Sequence, residues 1–339
     1  ADIDTQAELD AAWGVGGVFT NAAAAQARIT DYVDNQTLGL ISPLGNALVV
    51  NSPTDWGGGL RGIQNAIDAA GSGYYVFVNA GSYGSPQPFV GPDNRGLVID
   101  KELTLVGRRG FSSAVTGGRT SGNAATESIL NFADPAVAST FMITIDSSDV
   151  TVRGFDMVGD ATQTQGGVQI SNLSGGVNVN VTNNYIRGSA PGTPLGGPAA
   201  LRTNGSLINS GTFDGNNIFN VSNDGISLAI DPNASTFTLQ GNRVIAGTGA
   251  GDDAIVLSQA GGATALLVSG NTVEGAGGFG IAISGFSTVE VSGNTLASSA
   301  AGAAIGQDAI RITGGSAVTV NGNTIATGAG NVLTVGSAG

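Results

Sequence analysis

Aspartate is the side chain through which this chain could do chemistry. There are 20 Asp against 5 Glu among 339 residues, and neither Cys nor His. Carboxylate oxygens are the ligands that a hard cation such as calcium takes, so no cofactor is expected, with calcium the one candidate. Asp also favours turns, whereas Glu favours helices, and a chain built from many tight turns would carry the same skew. The lack of Cys removes thiolate nucleophiles, thiolate metal sites and disulfides. The lack of His removes the commonest general base and metal ligand. The net charge is −13, and the 12 basic residues (eleven Arg and Lys101) form no cluster. Nucleic acid is therefore not an expected partner.

The elements that would position these acids are set by repetition. Six phrases align on an asparagine: VTNNYI (Asn184), FDGNNI (Asn216), LQGNRV (Asn242), VSGNTV (Asn271), VSGNTL (Asn294) and VNGNTI (Asn323). A second phrase alternates with them: NDGISL (Ile226), DDAIVL (Ile255), FGIAI (Ile281) and QDAIRI (Ile310). Two interleaved registers of similar period mark a structural repeat. Each phrase alternates apolar and polar residues as a strand does, and Gly-Asn then breaks the alternation. A unit of 23 to 32 residues with two or three such strands cannot close a core alone. Stacked units bury their Val, Ile and Leu and pair each strand with those above and below, about 4.8 Å apart. The expected fold is all-β: a parallel β-helix, with the six Asn amides forming a structural ladder along its axis. The pattern continues toward the N-terminus as VTVRGFDMV, with Phe155 in the Asn position, and as ELTLVGRRG, with Arg108 there.

The two ends differ from the middle. Residues 6–35 are Ala-rich, with helical spacing in the second half (Ala22, Ala25, Ile29, Val33), 36–60 are turn-rich, and RGIQNAIDAAG reads as a helix stopped by Gly71. The division expected is 1–60 as a helical or irregular N-terminal cap and 61–339 as a β-helix of roughly eight coils. TVNGNTIATGAGNVLTVGSAG stops after a strand, so the C-terminal end is expected to be uncapped. Terminal repeats normally need caps, and a bare end points to self-association through the ends of the β-helix. No apolar run is long enough to span a membrane. The chain opens at Ala1 rather than Met, as a processed or excised product would. A Cys-free, Asp-rich, Lys-poor composition fits an extracellular or cell-surface location.

IQNAIDAAGSGYYVFVNAGSYG (63–84) followed by LVIDKELTLVG (97–107) resembles the opening coil of the right-handed pectate-lyase-like and pectin-methylesterase-like parallel β-helices, and the V-x-V-x-G-N phrases are similar to their repeat. The resemblance covers about residues 60–335 and implies a right-handed helix with a short helical cap. That fold hosts many functions. The paired-Asp motif of the methylesterases is missing, with Asp156 the nearest acid, and the polygalacturonase-like pattern needs a His. A lyase-like site needs an acidic calcium cluster and a basic residue. Asp224, Asp252 and Asp253 are the calcium candidates the resemblance suggests, and Arg202, Arg243 and Arg311 the bases. Asp253 aligns with Asp224 and Asp308 in the repeat, which favours a turn role. The expected function is a non-enzymatic, secreted or cell-surface structural or adhesive β-helix that assembles end to end. The alternative is a calcium-dependent polysaccharide lyase, and a glycan is the second candidate partner.

Overall fold

The computed structural model describes residues 5, 7, 46–84, 96–132, 141–160, 166–171, 176–190, 193–247, 251–298, 304–326 and 332–336, without the side chains of 261–264. Parallel strands stack into three ladders, making a β-helix of about eight turns. The first ladder runs from Leu97–Ile99 through Ile143–Ile145, Val168–Ile170, Ala199–Thr203 and Asp224–Ile230 to Ile310–Thr313 and Leu333–Gly336. The second begins at Ala47–Val50 and Tyr74–Val78, and ends at Thr236–Gln240 and Ala317–Asn321. Ile255–Ser269 and Ile281–Ser292 pass unbroken from the first ladder into the second, which joins the two into one 17-stranded sheet. The third ladder, a 9-stranded sheet, runs from Gly81–Tyr83 to Thr324–Ala326.

Inward-facing residues form continuous files. Leu201, Ile226, Ile255, Ile281, Ile310 and Leu333 succeed one another in direct register, and the four isoleucines among them are fully buried. Burying such a side chain contributes about 1.5–3 kcal/mol, so each coil is held mainly by its neighbours' apolar files. Coils of unequal length keep this register because corners absorb the difference. The stretch from Ile to Asn is 16 residues in 226–242 and 13 in 281–294. In the shorter coil the corner is made at Gly285, φ 85°, where a Cβ would meet Gln259 O at 1.8 Å. Only glycine fits that corner.

Helix α1 (Gly59–Ala69) buries Leu60, Ile63, Ala66 and Ile67 along one face. It lies where a first-ladder strand would precede Leu97–Ile99. The Gln64 amide completes the substitution: its Nε2 donates to Val98 O (3.1 Å) and its Oε1 accepts from Val98 N–H (2.8 Å). An edge strand otherwise ready to pair is thereby satisfied. Apart from Ala7, the Ala-rich stretch 6–35 lies outside the described residues. Within 1–60, the segment read as cap, Ala47–Val50 forms a strand of the second ladder, because its four apolar residues are all buried against Tyr75–Val78. The question of a C-terminal cap falls on residues 337–339, outside the described residues.

Arg108 does not occupy the Asn position. The chain leaves the helix after Gly107 and returns at Ser128, and Ser128 pairs with Phe155. The excursion 108–127 runs down the outside of the third ladder. Ala114 N–H donates to Gly215 O (3.0 Å), and Asn183 Nδ2 donates to Gly110 O (3.0 Å).

Candidate functional site

The six asparagines stand in one file at the bend between the second and third ladders. The residue before each takes the left-handed conformation: Asn183 (φ 58°), Gly215, Gly241, Gly270, Gly293 and Gly322 (59–64°). That turns the chain sharply and aims the following side chain inward, where Asn184, Asn216, Asn242, Asn271 and Asn294 are fully buried. The amides of these five are saturated. Asn271 Nδ2 donates to Leu239 O of the preceding coil (3.1 Å) and to Asn294 Oδ1 of the following one (3.0 Å), and Asn294 Oδ1 also accepts Asn271 N–H (2.9 Å). Asn184, Asn216, Asn242 and Asn294 repeat this pattern down to Asn323 Oδ1. Phe155 N–H donates to Asn184 Oδ1 (3.1 Å) at the head of the file. The donors and acceptors of Asn184 to Asn294 are used within the stack, so each amide ties its coil to the next.

Asp224, Asp253, Phe279 and Asp308 succeed one another at the corner between the third and first ladders. Asp224 Oδ1 accepts the N–H of Asp253 (2.9 Å), and Asp253 Oδ1 accepts that of Phe279 (2.6 Å). Two of the three calcium candidates thus close the corner below them. Among the described residues no three acids group as a metal site requires. Burial pushes the Asp224 carboxyl up to about 6, and the neighbouring Asp253 and Asp252 charges add to the rise. Burial also raises Asp253, against the Phe279 hydrogen bond and the positive charge of Arg311. Arg311 lies over the Phe279 ring at 4.8 Å. Arg243 is engaged: Nε and Nη2 grip both Glu274 oxygens at 2.8 and 2.7 Å, which holds the Glu274 carboxyl below its usual range. Arg202 donates to Asn204 Oδ1 (2.9 Å) and lies over Phe141 at 5.6 Å.

A charged cluster that the repeat pattern does not reveal sits under the excursion 108–127. Arg119 and Glu127 are 1% and 0% exposed and make a multidentate pair. Beside them the buried Asp156 carboxylate accepts Arg187 Nε (2.9 Å), Arg187 Nη2 (3.1 Å) and Gly122 N–H (2.5 Å). Arg119 also donates to Ser112 O (3.1 Å) and Asn183 O, and Tyr185 Oη donates back to Arg119 O (3.1 Å). Burial holds the Glu127 carboxyl above its ordinary value despite Arg119. The cluster pins the excursion to the third ladder, and all its groups face one another.

Two outcomes follow. Asn271→Leu should strip the acceptor from two buried donors of Asn242 and lower stability by roughly 3 kcal/mol, read from urea unfolding. Asp224 favours the folded state below its ordinary value of 3.8 and loses that contribution as pH rises to about 6. Asp224→Asn keeps the acceptor without the charge, so its urea midpoint should exceed wild type at pH 7 and match it near pH 4.

The family described as "Right handed beta helix region" matches residues 131–296 and again 253–339. No curated protein and no solved structure matches the chain. The two matched stretches run together over more than half of the sequence, the part that carries the asparagine file and the four-isoleucine file, and the chain belongs to the right-handed β-helix family.

Proposed function

We propose that the protein is a non-enzymatic structural or adhesive β-helix of the cell surface or extracellular space, which associates through the edge of its last described coil. The observation that carries this reading is the placement of exposed apolar side chains. Val332, Leu333 and Val335 are 57%, 41% and 52% exposed, and Tyr75 is the one other large apolar residue in that class among the described residues. All three belong to the last described coil, whose lower strand edges have no partner strand among the described residues. An open, apolar strand edge is a template for pairing. One oxygen each of Asp224 and Asp253, and the buried asparagine amides, are engaged in backbone and ladder hydrogen bonds.

Among the described residues the edge of Ala47–Val50 toward the N-terminus is covered, which favours one-sided association. Asn46 O and Val50 O accept from Tyr75 and Asn79, so Val49 O and Asn51 N–H face outward. Trp56 Nε1 donates to Val49 O (3.0 Å), and Asp55 Oδ2 accepts Asn51 N–H (2.8 Å). Trp56 adopts φ 56° in making this cap, a conformation costly for a bulky residue.

Electron microscopy of the purified protein, with and without calcium, tests the reading. Rods joined in pairs at one tip are expected, and Leu333→Lys/Val335→Lys should return them to single rods with unchanged circular dichroism. Single rods of the wild type at every concentration would remove the association; long filaments would restore two-ended stacking.

One observation favours the second reading, a calcium-dependent polysaccharide lyase: the raised Asp224 carboxyl beside Asp253, which in turn feels the charge of Arg311. Under that reading Asp253→Ala abolishes cleavage of an acidic polysaccharide in calcium and leaves folding intact. A screen in which calcium supports no cleavage by the wild type sinks it.

A further inference from the structure

The outer face of the first ladder carries an unmatched positive charge. Arg119, Arg187 and Arg243 each hold a carboxylate in an ion pair. Arg202 holds none among the described residues, in a chain of net charge −13. Its Nη2 donates to Asn204 Oδ1 (2.9 Å) and its Nε lies 3.4 Å from Thr203 O, which leaves Nη1 without an acceptor among the described residues. Burial alone lowers the guanidinium from its ordinary value, and no neighbouring charge offsets it.

Thr144, Gln169 and Arg202 succeed one another in direct register, about 4.8 Å apart. They alternate with core residues such as Ile143, Ile145, Val168 and Leu201, so all three face outward. Thr144 and Gln169 are nonetheless 0% and 8% exposed, so the surface over them is recessed. The buried Thr144 Oγ1 finds no hydrogen-bond partner in the protein. The Gln169 amide makes one long contact, from Nε2 to Ser171 Oγ at 3.4 Å. Phe141 links the two ends of this row. Its ring leans over Gly166, where a Cβ would meet it at 2.3 Å, and the Arg202 guanidinium lies 5.6 Å from its centroid. The arginine head therefore reaches back from its own coil toward the coil of Thr144.

We propose that Thr144, Gln169 and Arg202 form a binding site for a singly charged oxyanion, the group that carboxylates and sulfate esters share. One guanidinium matches one negative charge, and its planar edge presents two N–H groups to two oxygens at once. Gln169 Nε2 and the Thr144 hydroxyl add donors on the neighbouring coils. No carboxylate among the described residues acts on Arg202, so none stands ready to repel the ligand. A buried hydroxyl without a partner costs stability, and a ligand oxygen removes that cost. The net charge of −13 repels anions at a distance, so affinity comes from these contacts alone. The site is separate from the Asp224–Asp253 corner, whose carboxyls feel Arg311 and their acidic neighbours and not Arg202. It is independent of the association of rods and of the lyase reading.

Sodium acetate and sodium methyl sulfate, each titrated into the full chain against sodium chloride at fixed ionic strength, are the probes. The Gln169 side-chain amide resonance should shift saturably with at least one of them, and the one that binds tells a carboxylate from a sulfate ester. Arg202→Gln should weaken that binding about tenfold, as expected for the loss of a charge-assisted pair. Thr144→Val keeps the shape of the side chain and removes the hydroxyl. It should weaken binding too, and it should raise the urea midpoint of the anion-free protein, because the unmatched group is gone. The absence of a saturable shift with either anion overturns the site, and so does equal affinity of Arg202→Gln and wild type. A Thr144→Val midpoint below that of wild type means that the hydroxyl is already satisfied, and overturns its part in the site.

Discussion

The whole stack depends on one hydrogen-bonding problem at the bend between the second and third ladders. A left-handed residue there turns the chain so sharply that backbone donors and acceptors face the core, where no water reaches them. An aliphatic residue would fill the space and leave those groups unpaired. Asparagine brings an acceptor and two donors on a short stem. It therefore serves the coil above through Nδ2, is served through Oδ1, and hands the same need to the coil below. The solution is not local to a coil. Each amide is correct only because its neighbours are amides too, which couples successive coils as firmly as the apolar files do.

This coupling explains why so much of the fold is legible in the sequence and where legibility stops. A strand of period two, then Gly-Asn, is a local signal, and six copies of it place the second and third ladders with their register from Asn184 to Asn323. The isoleucine phrases place the first ladder in the same way. Higher up, the signal fails for physical reasons. At Arg108 the letters of the repeat persist, but the chain departs for 20 residues and the ladder position passes to Ser128. The excursion has no periodicity, and its anchors, Glu127 to Arg119 and Asp156 to Arg187, are ion pairs between segments that no pattern relates. Ala47–Val50 is four apolar residues followed by a Pro-containing turn, and it is a strand because Tyr75–Val78 lies beneath it.

The calcium candidates show how a sequence alignment and a site differ. Asp224, Asp253 and Asp308 do fall in one file, as the phrases NDG, DDA and QDA suggest. A file of acids on successive coils reads as a cation site only if the oxygens are free to converge. Here Asp224 and Asp253 each turn an oxygen to the N–H of the residue one coil below, a use in which carboxylate and hydroxyl or amide oxygens are interchangeable. The sequence cannot distinguish these uses, because both demand a short oxygen-bearing side chain at a corner. The raised Asp224 carboxyl is the cost of placing a charge where a neutral acceptor would do.

The two ends treat the same exposed strand edge in opposite ways, and the difference is chemical. Toward the N-terminus, Gln64 stands in for a strand against Val98, Trp56 covers Val49 O, and Asp55 holds the Asn51 N–H. Each of these side chains supplies the hydrogen bond that a neighbouring coil would supply, so the edge no longer rewards pairing. At the lower end, Ala317–Asn321 and Thr324–Ala326 carry no such substitutes among the described residues, and their inward Val318, Val320 and Ile325 are left half-covered. From Asn184 to Asn294 each backbone N–H donates to the Oδ1 one coil below, so the file has a direction as well as a period. Extension at the upper edge would first have to break the Trp56 and Asp55 contacts.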